Sequence, residues 1–487
     1  MYSKYLFFLI LVIAHLSCAN TTSINRNLNK LFSYCYENEL FNGHVLVYRK
    51  GDLIFNKSYG KLSHNSPNKI NENTAFRLAS ISKQFTAMAI VSLHSNGKLN
   101  YDDFITNYIK DFPYPKVTIR HLLNHTSGIP EYQDFLNASY KEIENNYETH
   151  GKVITNQSIL DRFTHNKPQA EFTPGTGFSY SNTNYILLAL LVESITDQTL
   201  ASFMNETFFT PLNMKNTWVG DQKNHKSQQA QGYKKNHITN TYVENEVPPF
   251  LATVGDGGIF SSASDLLTWF KALNEGEFVN VEELEEISQQ PIIGEEEGPY
   301  GFGWFIRKVP FSGNRALTHS GEFVGASNAI FRDLDANTTL IILSNNSNKI
   351  RSDLNSAIIK IMHGLPYSLP KLTAEALLSP MILEGEYEKA KAFFTRHFDN
   401  SQYDFSEKAF NKFGYNLLEE QKHKEAIEVF KWNIDLNPKS SNVYDSLAEA
   451  YLKFGDKQNA LKYYKIAFEM DSKNKNAKTL IDQLSKN

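Results

Sequence analysis

One short stretch constrains this chain more than any other: Ser80-Ile81-Ser82-Lys83 leads directly into an apolar run. The run from Phe85 to Leu93 is typical of a buried helix. Residues three apart share a helix face, so Lys83 can reach the hydroxyl of Ser80. A serine hydroxyl attacks well only when a neighbour takes its proton, which a suitably placed lysine can do. The pattern therefore predicts a nucleophile, although alone it also fits a capped helix with a surface lysine.

A second stretch offers a phenol and an amide. Tyr180-Ser181-Asn182 follows Pro-Gly and Gly-Phe steps, which indicate a loop, and precedes an apolar helix predicted from Tyr185 to Val192. A loop ahead of a helix can present both groups to a cleft. The alternative is a helix N-cap by Ser181 or Asn182, with Tyr180 as a packing residue.

A third stretch, His319-Ser320-Gly321, ends the strand predicted from Arg315 onwards. A small residue and a glycine at a strand end let a ligand approach the backbone closely, although an ordinary turn would also explain them. Each of the three stretches has a plain structural explanation. Their occurrence in the order S-x-x-K, Y-x-N and H-x-G is harder to attribute to coincidence, and it predicts acyl transfer.

With these three motifs, the chain resembles the serine penicillin-recognising family. The resemblance is closest to the branch that holds class C β-lactamases, D-Ala-D-Ala carboxypeptidases, D-aminopeptidases and β-lactamase-like esterases. It extends from about Leu28 to about Gly364. Four further stretches are similar to that branch: 41–47, 118–129, 255–262 and 300–304.

The resemblance implies a role for each motif residue. Ser80 would be the acylated nucleophile, and Lys83 would take or relay its proton. Tyr180 would act as general base, or as the acid that returns a proton to the leaving group. Asn182 would hydrogen-bond Lys83 and the substrate amide. Together they supply the nucleophile and the proton shuttle that acyl transfer requires.

The H-x-G motif would contribute to substrate binding through His319, Ser320 and Gly321. The resemblance implies an oxyanion hole built from the backbone N–H groups of Ser80 and Glu322, each worth about 3 kcal/mol. His319 stands where β-lactamases of this branch usually carry lysine, and a mostly neutral histidine anchors a carboxylate less strongly. This histidine is more similar to the carboxypeptidases, D-aminopeptidases and esterases. No separate deacylation carboxylate of the class A type is evident.

Composition excludes several other functions. The chain of 487 residues has a net charge of −4 and no basic block, so no nucleic-acid partner is predicted. His121 and His125 are four apart and could share a helix face, but Gly128 closes the stretch without a third ligand nearby. We therefore predict neither a metal site nor a cofactor.

The N-terminus predicts export through a signal peptide at residues 1–19. Lys4 precedes an apolar core at 6–14 that is too short to span a bilayer stably. Cleavage could follow Ala19, or Leu16-Ser17-Cys18 could act as a lipobox with Cys18 acylated. Either route predicts a periplasmic or cell-envelope location, and the second adds a lipid anchor in the membrane.

The pattern of elements predicts an α/β hydrolase domain at residues 20–365. We expect an antiparallel β-lactamase-like sheet, flanked by helices, whose terminal strands enclose an inserted helical region carrying Ser80 and Tyr180. The strands are expected at 44–48, 53–59, 316–319, 329–332 and 339–344. Loops at 137–156 and 220–249 are expected to influence substrate choice.

A different architecture is predicted for residues 366–487. Small and aromatic residues recur there with a period of 34, as in Gly414 with Ala448 and Phe430 with Tyr464. The region resembles tetratricopeptide-like helical repeats, with an earlier degenerate unit and a capping helix over 480–484. Such repeats could bind a protein partner, or pack on or cap the catalytic domain.

The leading hypothesis is an exported serine hydrolase that acts through an acyl-enzyme on a small peptide or ester. Its substrates would be D-amino-acid peptides, as for a D-Ala-D-Ala carboxypeptidase or D-aminopeptidase, or esters. One alternative is a β-lactamase proper. Another is a non-hydrolytic penicillin-binding sensor or scaffold that uses the helical repeats. Peptidase and esterase need the same acyl-enzyme, so the motifs do not separate them.

Overall fold

The computed structural model describes residues 21–220, 228–276, 299–347 and 350–485. The chain forms two compact units. The first consists of Met1–Lys234 and Glu244–Tyr367, and the second of Lys235–Val243 and Ser368–Asn487. The predicted division at residue 366 puts 235–243 in the hydrolase domain, whereas in the structure these residues pack within the second unit. The proposed leader at 1–19, including Cys18, lies outside the described residues.

A seven-stranded antiparallel sheet organises the first unit, in the order β2-β1-β12-β11-β10-β9-β8. The strands up to β12 are β1 Gly43–Arg49, β2 Asp52–Tyr59, β3 Phe76–Arg77, β4 Trp218–Val219, β5 Tyr233–Asn236, β6 Thr241–Glu244, β7 Ile259–Ser261, β8 Tyr300–Gly301, β9 Trp304–Lys308, β10 Arg315–Phe323, β11 Ala326–Asp333 and β12 Thr338–Ser344. The chain's first strand pairs with a late one, Val45 facing Ile342. Every residue of β12 is buried, as expected of a central strand covered on both faces.

Helices fill the region between β2 and β8 and flank the sheet. They are α1 21–37, α2 Lys83–Ser95, α3 Ile119–Leu123, α4 Tyr132–Ala138, α5 Tyr140–His150, α6 Asn156–Asn166, α7 Asn182–Thr196, α8 Leu200–Met204, α9 Ala263–Glu275 and α10 Arg351–Met362. Short 3₁₀ turns span Ala79–Ser82 and Ile105–Asn107, and a π turn spans Asn205–Phe209. The predicted sheet with an inserted helical region is confirmed. The stretch 137–156, expected to be a loop, instead contains α5.

The two helices that follow the catalytic motifs form the centre of the core. Both α2 and α7 are apolar around most of their circumference, which predicts helices buried on every side. In α7 every residue from Thr183 to Val192 is buried. No single helix in the described ranges is long and apolar enough to cross a membrane; α7 with Leu200–Phe209 reaches that length only across an 80° bend.

The second unit is mainly helical, as predicted. Its elements are β13 Leu372–Thr373, α11 Ala374–Leu383, α12 Tyr387–His397, β14 Tyr403–Asp404, α13 Glu407–Glu419, α14 His423–Leu436, α15 Ser441–Phe454, α16 Lys457–Met470 and α17 Lys475–Leu484. The pair α15 and α16 begins 34 residues after α13 and α14. Gly414 allows α13 to approach α14, because a Cβ there would overlap the ring of Phe430. Helix α17 contains the predicted capping helix.

Most of the short hairpin β5–β6, residues 235–243, belongs to the second unit. Its tip residue Ile238 is 3% exposed and shares one hydrophobic core with Leu378 and Phe410. Asn236 Nδ2 donates to Glu420 Oε1 at 2.6 Å, while Asn236 Oδ1 accepts from the backbone N–H of Ile238 at 2.9 Å. The helical unit is therefore built from two separate segments of the chain.

Candidate active site

Ser80 lies in the 3₁₀ turn that runs directly into α2. Ala79, just before it, has a φ of 50°, a left-handed conformation that is unfavourable for a side chain with a Cβ. The second serine of the motif has a structural role, because Ser82 is fully buried and its Oγ accepts from the backbone N–H of Ile259 at 3.1 Å. The local geometry thus distinguishes Ser80 as the serine that lines a cavity.

Lys83 is buried beside that serine and donates three hydrogen bonds. Its Nζ lies 3.1 Å from Ser80 Oγ, 2.7 Å from Asn182 Oδ1 and 2.7 Å from the backbone oxygen of Asp256. A buried ammonium is costly unless its donors are satisfied, and these contacts satisfy all three. The side chain is held in one position, within direct proton-transfer distance of the Ser80 hydroxyl.

Tyr180 contributes its ring to the same site. Lys83 Nζ lies 5.0 Å from the centre of the ring, in a cation–π contact, and the ring stacks on Phe305 with its centre 6.2 Å away. Among the described residues, no hydrogen-bond partner contacts the buried Tyr180 hydroxyl. Tyr180 therefore borders Lys83, with its phenol free to accept or donate a bond.

Asn182 is placed by the start of α7. Its backbone N–H donates to Glu131 Oε2 at 2.6 Å, and the same carboxylate accepts from the backbone N–H of Gln133 at 3.1 Å. Burial raises the pKa of Glu131, while these two backbone donors oppose the shift. Glu131 thereby fixes the side chain that bonds Lys83, and the sequence motifs did not identify it.

His319 is buried as a neutral ring. Burial is the main cause that lowers its pKa to about 3, and the positive charge of Lys83 acts in the same direction. Its Nδ1 donates to the backbone oxygen of Ser320 at 2.7 Å, since that oxygen can only accept. Its Nε2 therefore accepts from the Tyr300 hydroxyl at 3.1 Å. Both ring nitrogens are bonded within the protein, and His319 carries no charge at neutral pH.

The rest of the H-x-G motif runs through β10 instead of ending it. Gly321 lies inside the strand, and a Cβ there would overlap the backbone oxygen of Leu78. This glycine was expected to let a ligand approach, but in the structure it lets the backbone of Leu78, just ahead of the nucleophile, pack closely against the strand. Ser320 precedes it and Glu322 follows it, with Glu322 lining the cavity and paired with Arg351 at 3.2 Å.

A cavity of about 110 Å³ adjoins the nucleophile. It is lined by Arg77, Ala79, Ser80, Tyr132, Gln133, Asn182, Val247, Leu251, Thr253, Asp256, Gly257, Gly258, Glu322 and Phe323. Asp256 adds a buried carboxylate that the motifs did not predict. The Gly-Asp-Gly-Gly stretch around it was visible as part of the resemblance, but nothing in its spacing indicated a side chain facing the cavity.

The two histidines considered as zinc ligands have structural partners. His121 Nδ1 accepts from the backbone N–H of Thr118 at 3.2 Å, completing the N-terminal cap of α3. His125 Nδ1 accepts from the backbone N–H of Ser181 at 3.2 Å, which fixes the loop between Tyr180 and Asn182. Burial lowers the pKa of His125 well below its usual value, so its ring is neutral.

Comparison with known proteins places this geometry in a family. Residues 37–361 match the family model described as Beta-lactamase. The chain belongs to this family. Penicillin-binding protein 4* of Bacillus subtilis (strain 168) is 34% identical over 365 residues, which cover 72% of this chain and 78% of that protein. The protein is accordingly a serine hydrolase of the β-lactamase-related type.

Solved structures share the fold. A penicillin binding protein from Bacillus halodurans is 25% identical with a TM-score of 0.58, over 69% of this chain and 97% of that one. The D-amino acid amidase from Ochrobactrum anthropi SV3 is 20% identical with a TM-score of 0.56, over 71% and 98% of the two chains. The predicted β-lactamase-like fold and enzyme class are therefore confirmed.

Proposed function

We propose that this protein is an exported serine hydrolase that forms an acyl-enzyme at Ser80 with D-amino-acid-containing peptides or amides, or with esters. The observation that carries the proposal is the position of Lys83, whose Nζ contacts both Ser80 Oγ and Asn182 Oδ1 beside an open cavity. The names of two similar proteins, a penicillin-binding protein and a D-amino acid amidase, support this substrate class.

The first chemical step follows from the contacts of Ser80. Its Oγ would attack the substrate carbonyl carbon as the hydroxyl proton passes either to Lys83 Nζ in its amine form or to Tyr180 in its phenolate form. The carbonyl oxygen would gain the negative charge, accepting hydrogen bonds from the backbone N–H groups of Ser80 and Glu322. Collapse of this intermediate would expel the amine or alcohol, which takes the proton from the relay and leaves an ester on Ser80.

The second step, deacylation, regenerates the free enzyme. A water would lose a proton to the same relay and attack the ester carbon, so that Ser80 leaves with a proton restored to its Oγ. Asn182 would hold Lys83 in place through both steps.

The proposal also includes an envelope location, with Cys18 as a candidate lipid anchor, and a protein-partner role for the second unit as tetratricopeptide-like repeats.

Covalent labelling tests the proposal. Wild-type protein should react with a fluorophosphonate and with a fluorescent penicillin, and Ser80→Ala should abolish both labels. Ser82→Ala is the matched control, because it removes only a buried hydrogen bond worth about 1 kcal/mol and should keep the label. Labelling that persists in Ser80→Ala would overturn the assignment. The hydrolysis rates then rank four substrate classes: nitrocefin, D-alanyl-D-alanine peptides, D-amino acid amides and p-nitrophenyl esters.

A further inference from the structure

The cavity at Ser80 contains a carboxylate that the acyl-transfer steps do not use. Asp256 is only 7% exposed, yet it lines the same cavity as Ser80 and Asn182. The Tyr132 hydroxyl donates to Asp256 Oδ2 at 3.0 Å. The backbone oxygen of Asp256 accepts from Lys83 Nζ at 2.7 Å. One residue therefore binds the catalytic amine through its backbone and places a carboxyl group beside the same cavity.

The loop that carries Asp256 is held against α2 and the 3₁₀ turn that precedes it. The backbone oxygen of Gly255 accepts from Thr86 Oγ1 at 2.7 Å, and the backbone N–H of Ile259 donates to Ser82 Oγ at 3.1 Å. Gly255 has a φ of 104°, and a Cβ there would lie 2.6 Å from the backbone oxygen of Tyr185. These contacts fix the carboxylate relative to the nucleophile, which a specificity residue requires.

The charges around the cavity favour a cationic ligand near Asp256. Glu322 is already paired with Arg351, and Glu131 is occupied by two backbone donors. Arg77 also lines the cavity, with its guanidinium 4.5 Å from the centre of the Phe260 ring. The neutral His319 supplies no positive charge. The acidic group that is both buried and fixed beside Lys83 is thus the carboxyl group of Asp256.

Chemistry then identifies the ligand group. Burial raises the pKa of Asp256, while Lys83, Tyr132 and the backbone N–H of Gly257 act to lower it. A bound ammonium would offset the cost of keeping this carboxylate ionised away from water. In an α-amino amide or a peptide with a free N-terminus, the ammonium is two bonds from the carbonyl carbon that Ser80 attacks. Both groups would then be engaged within one small cavity.

We propose that Asp256 is a specificity-determining residue that binds the α-ammonium group of the substrate, so that Ser80 acts on amides and peptides with a free N-terminal D-residue. This inference rests on the proposed function, because it names the substrate class for the same acyl-enzyme. It assigns an aminopeptidase or amidase type of reaction, in which the N-terminal residue is acylated onto Ser80 and the remaining amine leaves.

The first experiment needs only the wild-type, full-length protein. We compare kcat/KM for D-alanine p-nitroanilide with that for its N-acetyl analogue, and for N-acetyl-D-alanyl-D-alanine. The free amine should be preferred at least tenfold, since hydrogen bonds to charged groups are the stronger ones. Equal rates would overturn the inference. A preference for the substrate with a free carboxylate and a blocked amine would also overturn it and would indicate Arg77 as the anchor instead.

A second experiment assigns the effect to one side chain. Asp256→Asn should raise KM for the free-amine substrate by about ten- to a hundredfold with a smaller change in kcat, and should change KM for the N-acetyl substrate much less. Asp335→Asn, which removes an exposed carboxylate that bonds Arg315, is the matched control and should behave as wild type. An equal loss on both substrates would refute a binding role.

Labelling at Ser80 separates the two proposals. If the fluorophosphonate labels Ser80 while the free amine gives no advantage, the inference about Asp256 fails and the acyl-enzyme proposal stands. If Ser80 is neither labelled nor required for hydrolysis, both fail.

Discussion

Gly321→Ala should impair catalysis without removing any functional group. The glycine lies in β10 where the strand passes the turn that carries the nucleophile. A Cβ there would overlap the backbone oxygen of Leu78 and lie 3.0 Å from its carbonyl carbon. Both atoms belong to the backbone, so no side-chain rotation relieves the clash. The strand and the turn must separate.

The size of the effect follows from the required movement. Nonbonded heavy atoms prefer separations of about 3.5 to 4 Å, so the two segments must move apart by roughly 1 Å or more. That movement would shift Ser80 relative to Glu322, the two residues proposed to supply the oxyanion donors. Misplacement of reacting groups by about 1 Å can cost a hundredfold in rate. We therefore expect kcat/KM on a small ester to fall by about a hundredfold.

The assay pairs ester hydrolysis with thermal unfolding, so that loss of catalysis is separated from loss of fold. Gly313→Ala is the control, because Gly313 lies in the turn before β10, has a φ of 74° and has open space around it. Gly313→Ala should lower the free energy of unfolding by about 1 kcal/mol through backbone strain, yet retain full kcat/KM. Folded Gly321→Ala protein with activity within threefold of wild type would refute the argument.

Three further predictions concern the relay, pH and the two units. Lys83→Ala and Tyr180→Phe should each lower kcat by about a hundredfold, and additive losses in the double variant would contradict a shared relay. The lowered pKa of His319, about 3 against 6.5 when unfolded, gives stability that is present above pH 6.5 and lost as pH falls towards 3. At pH 5 the wild-type free energy of unfolding should have fallen by about 2 kcal/mol from this cause. Urea titrations should therefore show that the free energy of unfolding of His319→Gln changes less between pH 7 and pH 5 than that of wild type, and an equal change would refute this. A chain ending at Leu369 should still label at Ser80. Exposing Ile238 in that chain should lose about 1.5 to 3 kcal/mol of burial free energy and make residues 235–243 sensitive to proteolysis. Protease resistance equal to that of the full-length chain would contradict the packing of Ile238.

Local pattern was sufficient to predict the elements that carry the motifs. The apolar runs after Lys83 and Asn182 predicted α2 and α7, because a helix buried on all sides leaves a continuous apolar signature. The period of 34 predicted the helix pairs of the second unit, since equivalent residues make equivalent contacts in each pair. The spacing of Ser80 and Lys83 within one turn likewise predicted their contact. In each case the decisive interactions are close in sequence or strongly periodic.

Contacts between distant segments were beyond such reasoning. Lys83 and the backbone oxygen of Asp256 are separated by 173 positions, and Asn182 meets Lys83 across 99. A side chain that reaches a cavity from a glycine-rich loop leaves no periodic pattern, so Asp256 could be seen only once the loop was in place. The same holds for Gly321, whose role depends on which backbone faces it and not on its neighbours in sequence.

The hairpin at 235–243 shows why chain order and packing units differ. Its strands β5 and β6 are mostly polar, so nothing in their pattern indicates a buried face; one apolar tip residue, Ile238, is enough to join the core of the helical unit. The return strand then leads within a few residues to Val247 and Leu251, which line the cavity at Ser80. Chain order therefore assigns residues 235–243 to the hydrolase domain, whereas their packing assigns them to the helical unit.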